Sequence, residues 1–293
     1  MEQGIIVKAL SGFYYVQSGG ECVVCRGRGK LRQDGVSPLV GDRVGFERAG
    51  DGSGTVKTIE PRRNYFVRPA VANIELMVIV ASAVNPVSDP FLLDRMTSLA
   101  EKHDCDVLIC INKADMDPGD ALYDTYTRAG FSVLRTSAVT GEGVAALAEA
   151  LQGRTAAFSG NSGVGKSSLL NAMEPSLRLL TGEVSAKLGR GRHTTRHVQL
   201  FPLSGGGYLA DTPGFGSFDL EQMESVRRED LQYCFREFAP YLGRCRFNDC
   251  AHLKEPDCAV LEALQRGEIV PSRHSSYARL YEQAAKLKDW ELR

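Results

Sequence analysis

Gly160-Asn161-Ser162-Gly163-Val164-Gly165-Lys166-Ser167-Ser168 is the stretch that decides how this chain folds. It satisfies G-x-x-x-x-G-K-[ST], with the apolar run Ala156-Ala157-Phe158 before it and helix-like spacing through Leu169, Leu170 and Ala172 after it. Glycines at 160, 163 and 165 let backbone N–H groups turn inward around phosphate oxygens, and the helix that follows adds its positive N-terminal end. Lys166 is placed to reach the outer phosphates and Ser167 to ligate Mg²⁺. A strand–loop–helix unit of this kind predicts an α/β domain that binds a nucleoside triphosphate.

Outward from the loop, Asn112-Lys113-Ala114-Asp115 follows the buried-strand pattern Val107-Leu108-Ile109-Cys110-Ile111. Its side chains emerge at a strand's carboxyl end, where open α/β sheets place their ligands. A carboxylate at Asp115 can accept from both N1–H and the exocyclic amine of guanine; adenine has no matching pair of donors. Alone, N-K-x-D could be a helix cap. Beside a phosphate loop it points to a guanine nucleotide, GTP or GDP. Ser137 and Ala138, after the strand-like run Phe131-Ser132-Val133-Leu134, can add backbone contacts to the base.

Downstream, Tyr208-Leu209-Ala210 leads into Asp211-Thr212-Pro213-Gly214, a D-x-x-G element in which Asp211 holds Mg²⁺ through water and the Gly214 N–H senses the γ-phosphate. Between the two phosphate elements lies Gly189-Arg190-Gly191-Arg192-His193-Thr194-Thr195-Arg196-His197, basic and without apolar period. It reads as a switch whose threonine grips Mg²⁺ when the γ-phosphate is present, with Thr195 favoured over Thr194, or as a solvated basic loop. The order along the chain is base tetrad, Ser-Ala loop, phosphate loop, switch threonine, Asp-x-x-Gly. Small GTPases begin with the phosphate loop, so the domain reads as circularly permuted, a rearrangement tolerated because domain termini lie close together.

The chain has 293 residues, 43% hydrophobic and 24% charged, values of an ordinary globular protein with room for two or three domains. No apolar run approaches the ~20 residues needed to span a bilayer, and the start lacks the pattern of a secretory signal, so a cytoplasmic enzyme without a membrane partner is expected. Net charge is −1, which excludes a uniformly basic nucleic-acid binder. The balance is +3 over residues 1–65, −2 over 66–215 and −2 over 216–293, so basic character is local to the N-terminal segment and to residues 187–196.

Residues 1–65 carry five short candidate strands at 4–8, 13–17, 21–26, 43–47 and 55–59, separated by polar turns, as in an OB-type barrel. Arg26, Arg28, Lys30 and Arg32, with Tyr14 and Tyr15, could contact RNA there, or form a solvated rim over core tyrosines. From Asn73 the pattern changes to α/β, with a buried strand at 74–81 and a helix at 91–101. Residues 61–70 read as a linker. The expected organisation is 1–65 OB fold, 66–217 nucleotide domain and 218–293 C-terminal module.

Of eight cysteines, Cys245, Cys250 and Cys258 join His252 in C-x4-C-x-H-x5-C. Three thiolates and an imidazole make a closed tetrahedral set suited to structural Zn²⁺, and a reducing compartment disfavours disulfides. Cys22-Val23-Val24-Cys25 has metal-like spacing but alternates like a strand, which puts its sulfurs on opposite faces; Cys105, Cys110 and Cys234 read as packed cysteines. The final helical pattern, Tyr277, Leu280, Tyr281, Ala284 and Leu287, reads as packing on the zinc module.

Taken together, the phosphate loop, the Gly-Arg-Gly-Arg-His-Thr-Thr stretch and the cysteine/histidine cluster resemble the circularly permuted, small-subunit-dependent GTPases of bacteria, the RsgA family. The resemblance spans nearly the whole chain. It implies an N-terminal OB fold, a central GTPase and a C-terminal zinc module, acting as a monomer in late maturation of the small ribosomal subunit with contacts to its rRNA. For the final helix it implies contact with that partner instead of packing.

Hydrolysis of GTP needs neutralised phosphate charge and an oriented water. Many GTPases place a glutamine directly after Asp-x-x-Gly; here that position is Phe215, which cannot hold water. Slow intrinsic turnover completed by a partner is therefore expected, with His193 as the residue that orients the water or, equally, as a contact to RNA or solvent. Two other classes use parts of the same pattern: a P-loop kinase of a small metabolite, and a zinc/OB RNA-binding protein with a vestigial nucleotide site.

Overall fold

The computed structural model describes residues 1–27, 37–67, 69–177, 198–211 and 225–286. Strands β1 (Glu2–Leu10), β2 (Phe13–Ser18), β3 (Glu21–Gly27), β4 (Arg43–Arg48) and β5 (Gly54–Ile59) close a small barrel in which β1 pairs with both β2 and β4, and β3 runs parallel to β5. This five-stranded closure matches the expected OB-type barrel. A shift of register in β1 between Ile6 and Lys8 accompanies its change of partners. In β3 Val23 and Cys25 are buried while Cys22 and Val24 are exposed, so the alternation does place the two sulfurs on opposite faces.

Residues 61–67 and 69–72 are tied down on both sides. Arg62 donates to the fully buried Asp42 at 2.7 and 2.8 Å. Asn64 donates to the Ile74 carbonyl at 2.8 Å and accepts from the Ile74 N–H at 3.0 Å. Between them β6 (Tyr65–Phe66) pairs with β7 (Val71–Ala72), and Phe66 and Val71 enter the main core. The expected linker is in fact a packed segment, because Arg62, Asn64, Phe66 and Val71 find buried partners on either side.

The second layer is a mostly parallel sheet in the order β10 (Ser132–Thr136), β9 (Asp106–Asn112), β8 (Leu76–Ala81), β11 (Thr155–Ser159), β13 (Tyr208–Asp211), with β12 (Gln199–Pro202) antiparallel at the end. A Lys8–Gln199 pairing of β1 with β12 joins it to the barrel as one continuous sheet. β8 is buried along its whole length, as a strand covered on both faces must be. Its Met77, Ile79 and Ala81 share a core with the barrel, with Leu93, Met96 and Leu99 of α1 (Pro90–Lys102) and with Tyr126 of α2 (Asp120–Arg128). Its Leu76, Val78 and Val80 face Leu147 and Leu151 of α3 (Val144–Leu151) and Leu169 and Leu170 of α4 (Lys166–Met173). The sheet is thus doubly wound. β8 and β11 run parallel, but the strand order switches sides between them, β9 and β10 being added on one side of β8 and β11 on the other; ligands sit at such a switch point, beyond the carboxyl ends of the strands.

The C-terminal part has its own core. Helices α5 (Ala259–Gln265) and α6 (Pro271–Ala284) gather Phe235, Phe238, Val260, Ala263, Ile269, Tyr277 and Leu280 around the cysteine/histidine loop, with Phe91 of α1 completing the cluster. Of the final helical pattern, Tyr277, Leu280 and Ala284 are buried, which supports packing as their role; Leu287 lies outside the described residues.

Candidate nucleotide site and metal centre

β11 ends at the switch point, and the chain turns there through the glycine loop into α4. Gly160 has φ 141°, and a Cβ on it would collide with the Val80 carbonyl of the neighbouring strand. Gly165, which precedes α4, has φ 96°, and a Cβ there would collide with the Asn112 side chain. Both positions exclude side chains for steric reasons, which is what close approach of backbone to a ligand requires. No side chain caps α4, so its first N–H groups have no capping side-chain acceptor. Around the turn Asn161 is half-buried, Ser162 and Gly163 are exposed, Val164 and Ser167 are buried and Ser168 is half-buried.

Lys166 is only 5% exposed, and its ammonium donates to the carbonyls of Gly160 at 2.6 Å and Asn161 at 2.8 Å. Burial pulls its pKa down from the usual lysine range to about 8. The ammonium is folded onto two loop carbonyls, bonds it can exchange for other oxygen acceptors.

The loop Asn112-Lys113-Ala114-Asp115 meets this turn from β9. Asn112 is buried, donates to the Val164 carbonyl at 2.9 Å and accepts from Thr136 Oγ1 at 3.4 Å. Lys113, at φ 63°, sends its ammonium across the phosphate loop to the Gly163 carbonyl at 2.9 Å and to the Asn85 carbonyl. Asp115 is exposed, with its carboxylate open to a ligand. Ser137 is fully buried; its hydroxyl accepts from the N–H groups of Val139 and Thr140 at 3.2 and 3.1 Å and shapes the turn that carries half-buried Ala138. The segment Asn85-Pro86 beside Gly163 was not legible in the sequence, since no motif marks it and its role is through a carbonyl.

On the other flank, β13 runs parallel to β11 with Ala157 opposite Ala210, which sets the Asp211 backbone beside the strand that leads into the phosphate loop. The Asp211 side chain, His193, Thr194, Thr195, Gly214 and Phe215 lie outside the described residues. So do Arg28, Lys30 and Arg32. On the barrel Arg26 lies over the Phe13 ring at 5.0 Å and Lys8 over Tyr15 at 5.5 Å, while Tyr14 and Tyr15 are half-buried against the core.

The four predicted metal ligands converge. Their ligand atoms all lie within 4.8 Å of one another, with Cys245 Sγ to Cys258 Sγ at 3.8 Å, Cys245 Sγ to His252 Nδ1 at 3.6 Å and His252 Nδ1 to Cys258 Sγ at 3.4 Å. Zinc–sulfur bonds of ~2.3 Å in a tetrahedron put sulfurs about 3.8 Å apart, so the donor set fits zinc in number, chemistry and spacing. The other ring nitrogen of His252, Nε2, bonds Gln232 Oε1 at 2.9 Å, which fixes Nδ1 as the ligand atom. The Gln232 contact to His252 is one that spacing alone could not reveal.

Among the described residues no helix is long and apolar enough to cross a membrane. The description "RsgA GTPase" matches residues 59–221 and "RsgA N-terminal domain" residues 3–56. The chain is 44% identical to the small ribosomal subunit biogenesis GTPase RsgA of Caldanaerobacter subterraneus subsp. tengcongensis over 281 residues, covering 95% of this chain and 94% of the relative. It is 46% identical to the protein of that name from Geobacillus kaustophilus, covering 94% and 95%. Its fold superposes on the crystal structure of YjeQ from Thermotoga maritima with a TM-score of 0.83 at 33% identity, covering 98% and 99%, and on YloQ, described as a circularly permuted GTPase, with 0.80 at 36%, covering 98% and 96%. The permuted order of base loop and phosphate loop, the barrel in front of them and the Cys₃His cluster behind are thereby placed in one lineage: the chain belongs to the RsgA family of GTPases.

Proposed function

We propose that this chain hydrolyses GTP in the service of small-subunit maturation, with its turnover stimulated by the small ribosomal subunit. The observation that carries the nucleotide half is the meeting of Asn112-Lys113-Ala114-Asp115 with the phosphate loop at the switch point of one sheet, joined by the Asn112 bond to Val164. The curated relatives' name, small ribosomal subunit biogenesis GTPase, supports the partner half.

In this reading Asp115 selects guanine, and Asn112, Lys113, Ser137 and Ala138 shape the base pocket. The loop residues Gly160, Asn161, Ser162, Gly163, Val164, Gly165 and Ser168 surround the phosphates, and Lys166 exchanges its carbonyl partners for the outer phosphate oxygens. Mg²⁺ would be held by Ser167 and Thr195, with Asp211 behind a water, and would neutralise phosphate charge. Gly214 senses the γ-phosphate and His193 orients the attacking water on the partner-bound enzyme. One structural Zn²⁺ would be held by Cys245, Cys250, His252 and Cys258 and would supply folding energy to the loop that carries them, beside the apolar core of the module. The division into 1–65, 66–217 and 218–293 assigns rRNA contact to the barrel, chemistry to the centre and metal to the end, in a cytoplasmic monomer.

GTP turnover measured alone and with purified small and large ribosomal subunits tests this. Strong acceleration by the small subunit, lost in His193→Ala with nucleotide binding retained, is expected. Turnover dependent on a small metabolite and indifferent to ribosomes would favour a kinase, and absence of nucleotide binding would leave a structural RNA-binding protein.

A further inference from the structure

Arg273 on α6 is fully buried, and every polar contact it makes is specific. Its Nη1 donates to Asp94 Oδ1 of α1 at 2.7 Å and to Thr97 Oγ1 at 3.0 Å, while Nε and Nη2 hold Glu237 in a two-pronged pair at 2.7 and 3.2 Å. The guanidinium lies within 4.6 Å of the Phe235 ring centre, 5.4 Å of Phe131 and 5.8 Å of Tyr126. Tyr126 of α2 donates to the same Asp94 oxygen at 2.8 Å and lies 3.2 Å from the Pro90 carbonyl. One cation from the C-terminal module thus binds α1 directly and α2 through a shared acceptor.

Both helices begin at the nucleotide pocket. α2 starts at Asp120, five residues after Asp115, with Asp117 accepting from Gly119 N–H at 2.8 Å in the turn between them. α1 starts at Pro90, capped by Asp89 on Phe91 N–H at 2.9 Å. The chain before that cap is stitched by Ser88 to Ser82 and by the Ser82 hydroxyl to the Val84 carbonyl, and it presents the Asn85 carbonyl to Lys113 beside Gly163. At its other end Arg273 is linked to the metal centre, since the neighbouring His274 donates to the His252 carbonyl at 2.8 Å and Tyr277 to the Ala251 carbonyl at 2.9 Å.

We infer that Arg273 is a positioning residue for the nucleotide pocket: by clamping α1 to α2 from the C-terminal module, it sets the spacing between the base-reading loop and the wall that backs the phosphate loop. The inference rests on the guanine-nucleotide reading above and adds a route from the metal module to the pocket that bypasses residues 212–224. Buried ion pairs contribute little net stability, because desolvation offsets attraction. What this one supplies is a fixed distance, as a fork of donors admits one geometry where an apolar contact admits several. Occupancy at either end is then felt at the other with the same coupling.

The test uses the full chain in three variants. Tyr126→Phe is isosteric and removes only the hydroxyl that joins Asp94 to α2. Arg273→Lys keeps the charge and loses the fork. The combination Arg273→Met, Asp94→Asn, Glu237→Gln empties the cluster without stranding a charge. GDP and GTP affinities by calorimetry and the release rate of a fluorescent GDP are read beside the melting temperature. Affinity for GDP and GTP should fall together, roughly three- to thirtyfold in the combination and less in Tyr126→Phe and Arg273→Lys, with faster release. Affinities within twofold of the parent protein in folded Tyr126→Phe and Arg273→Lys, with only the melting temperature lowered, would overturn the inference and leave the cluster a packing device. A parent protein that binds ATP as tightly as GTP would instead remove the reading beneath it.

Discussion

Asn112 donates its side-chain amide to the Val164 carbonyl at 2.9 Å, across 52 residues of chain. This bond, with the Thr136 hydroxyl on its other face, welds the carboxyl end of β9 to the crest of the glycine loop. Permutation reverses which comes first along the chain and leaves their contact intact, because the sheet brings β9 and β11 to either side of β8 whichever way the connections run.

Asn112→Ala leaves the buried Val164 carbonyl without a donor. The protein should lose about 1–3 kcal/mol of stability, and GDP should bind several-fold more weakly as the crest of the loop loosens. Chemical denaturation and GDP calorimetry check the two effects together.

Lys166 gives binding a pH signature. Burial depresses its pKa to about 8 in the protein alone, and phosphate oxygens would raise it. A unit or more below pH 8 the ammonium is charged before and after binding, and almost no proton moves. Above pH 8 the protein alone has shed a proton that the complex needs, so GTP binding takes one up and affinity falls, by up to tenfold per pH unit. Calorimetry at pH 7 and pH 9 in buffers of different ionisation enthalpy should find almost no uptake at the first and most of one proton at the second.

Gln232 holds the His252 ring through its 2.9 Å bond to Nε2, leaving Nδ1 toward the three cysteines. Gln232→Ala should weaken zinc affinity by about 10–100-fold, the usual effect of losing such a partner. Competition with a chromophoric chelator measures it. Cys258→Ser, which removes a ligand outright, should unfold the module that packs on α1 while the barrel keeps its structure.

Arg62 covers Asp42, whose carboxylate is fully buried. Arg62→Met should cost about 2–4 kcal/mol, somewhat below the range for a wholly enclosed pair because one edge of the guanidinium meets solvent. Adding Asp42→Asn should recover much of the loss in a denaturation midpoint.

The sequence carried the parts of this protein whose chemistry is local. A phosphate loop needs glycine where a side chain would strike Val80 or Asn112, so its spacing is written in the chain. The barrel strands and β8 were legible because alternation and unbroken burial are periodic; the observed limits differ from the expected ones by one or two residues. What was illegible is long-range. Arg273 meets Asp94 across 179 residues, and nothing near either marks it for burial. Gln232 and Asn85 act through one bond each, to a histidine and to a lysine whose own motifs drew the attention. Residues 61–70 look like a linker by composition, and Arg62 and Asn64 pack instead because Asp42 and Ile74 lie within reach in space.

The central claim is that Asp115 chooses the base in a pocket built from permuted pieces. Calorimetry of GTP and ATP on the parent protein and on Asp115→Ala measures that choice most directly. The account predicts strong preference for GTP in the parent and loss of at least 1.4 kcal/mol of it, about tenfold, in the variant, since a carboxylate matched to two guanine donors is what separates the purines. Equal binding of ATP and GTP by the parent, or an unchanged preference in Asp115→Ala, would contradict it.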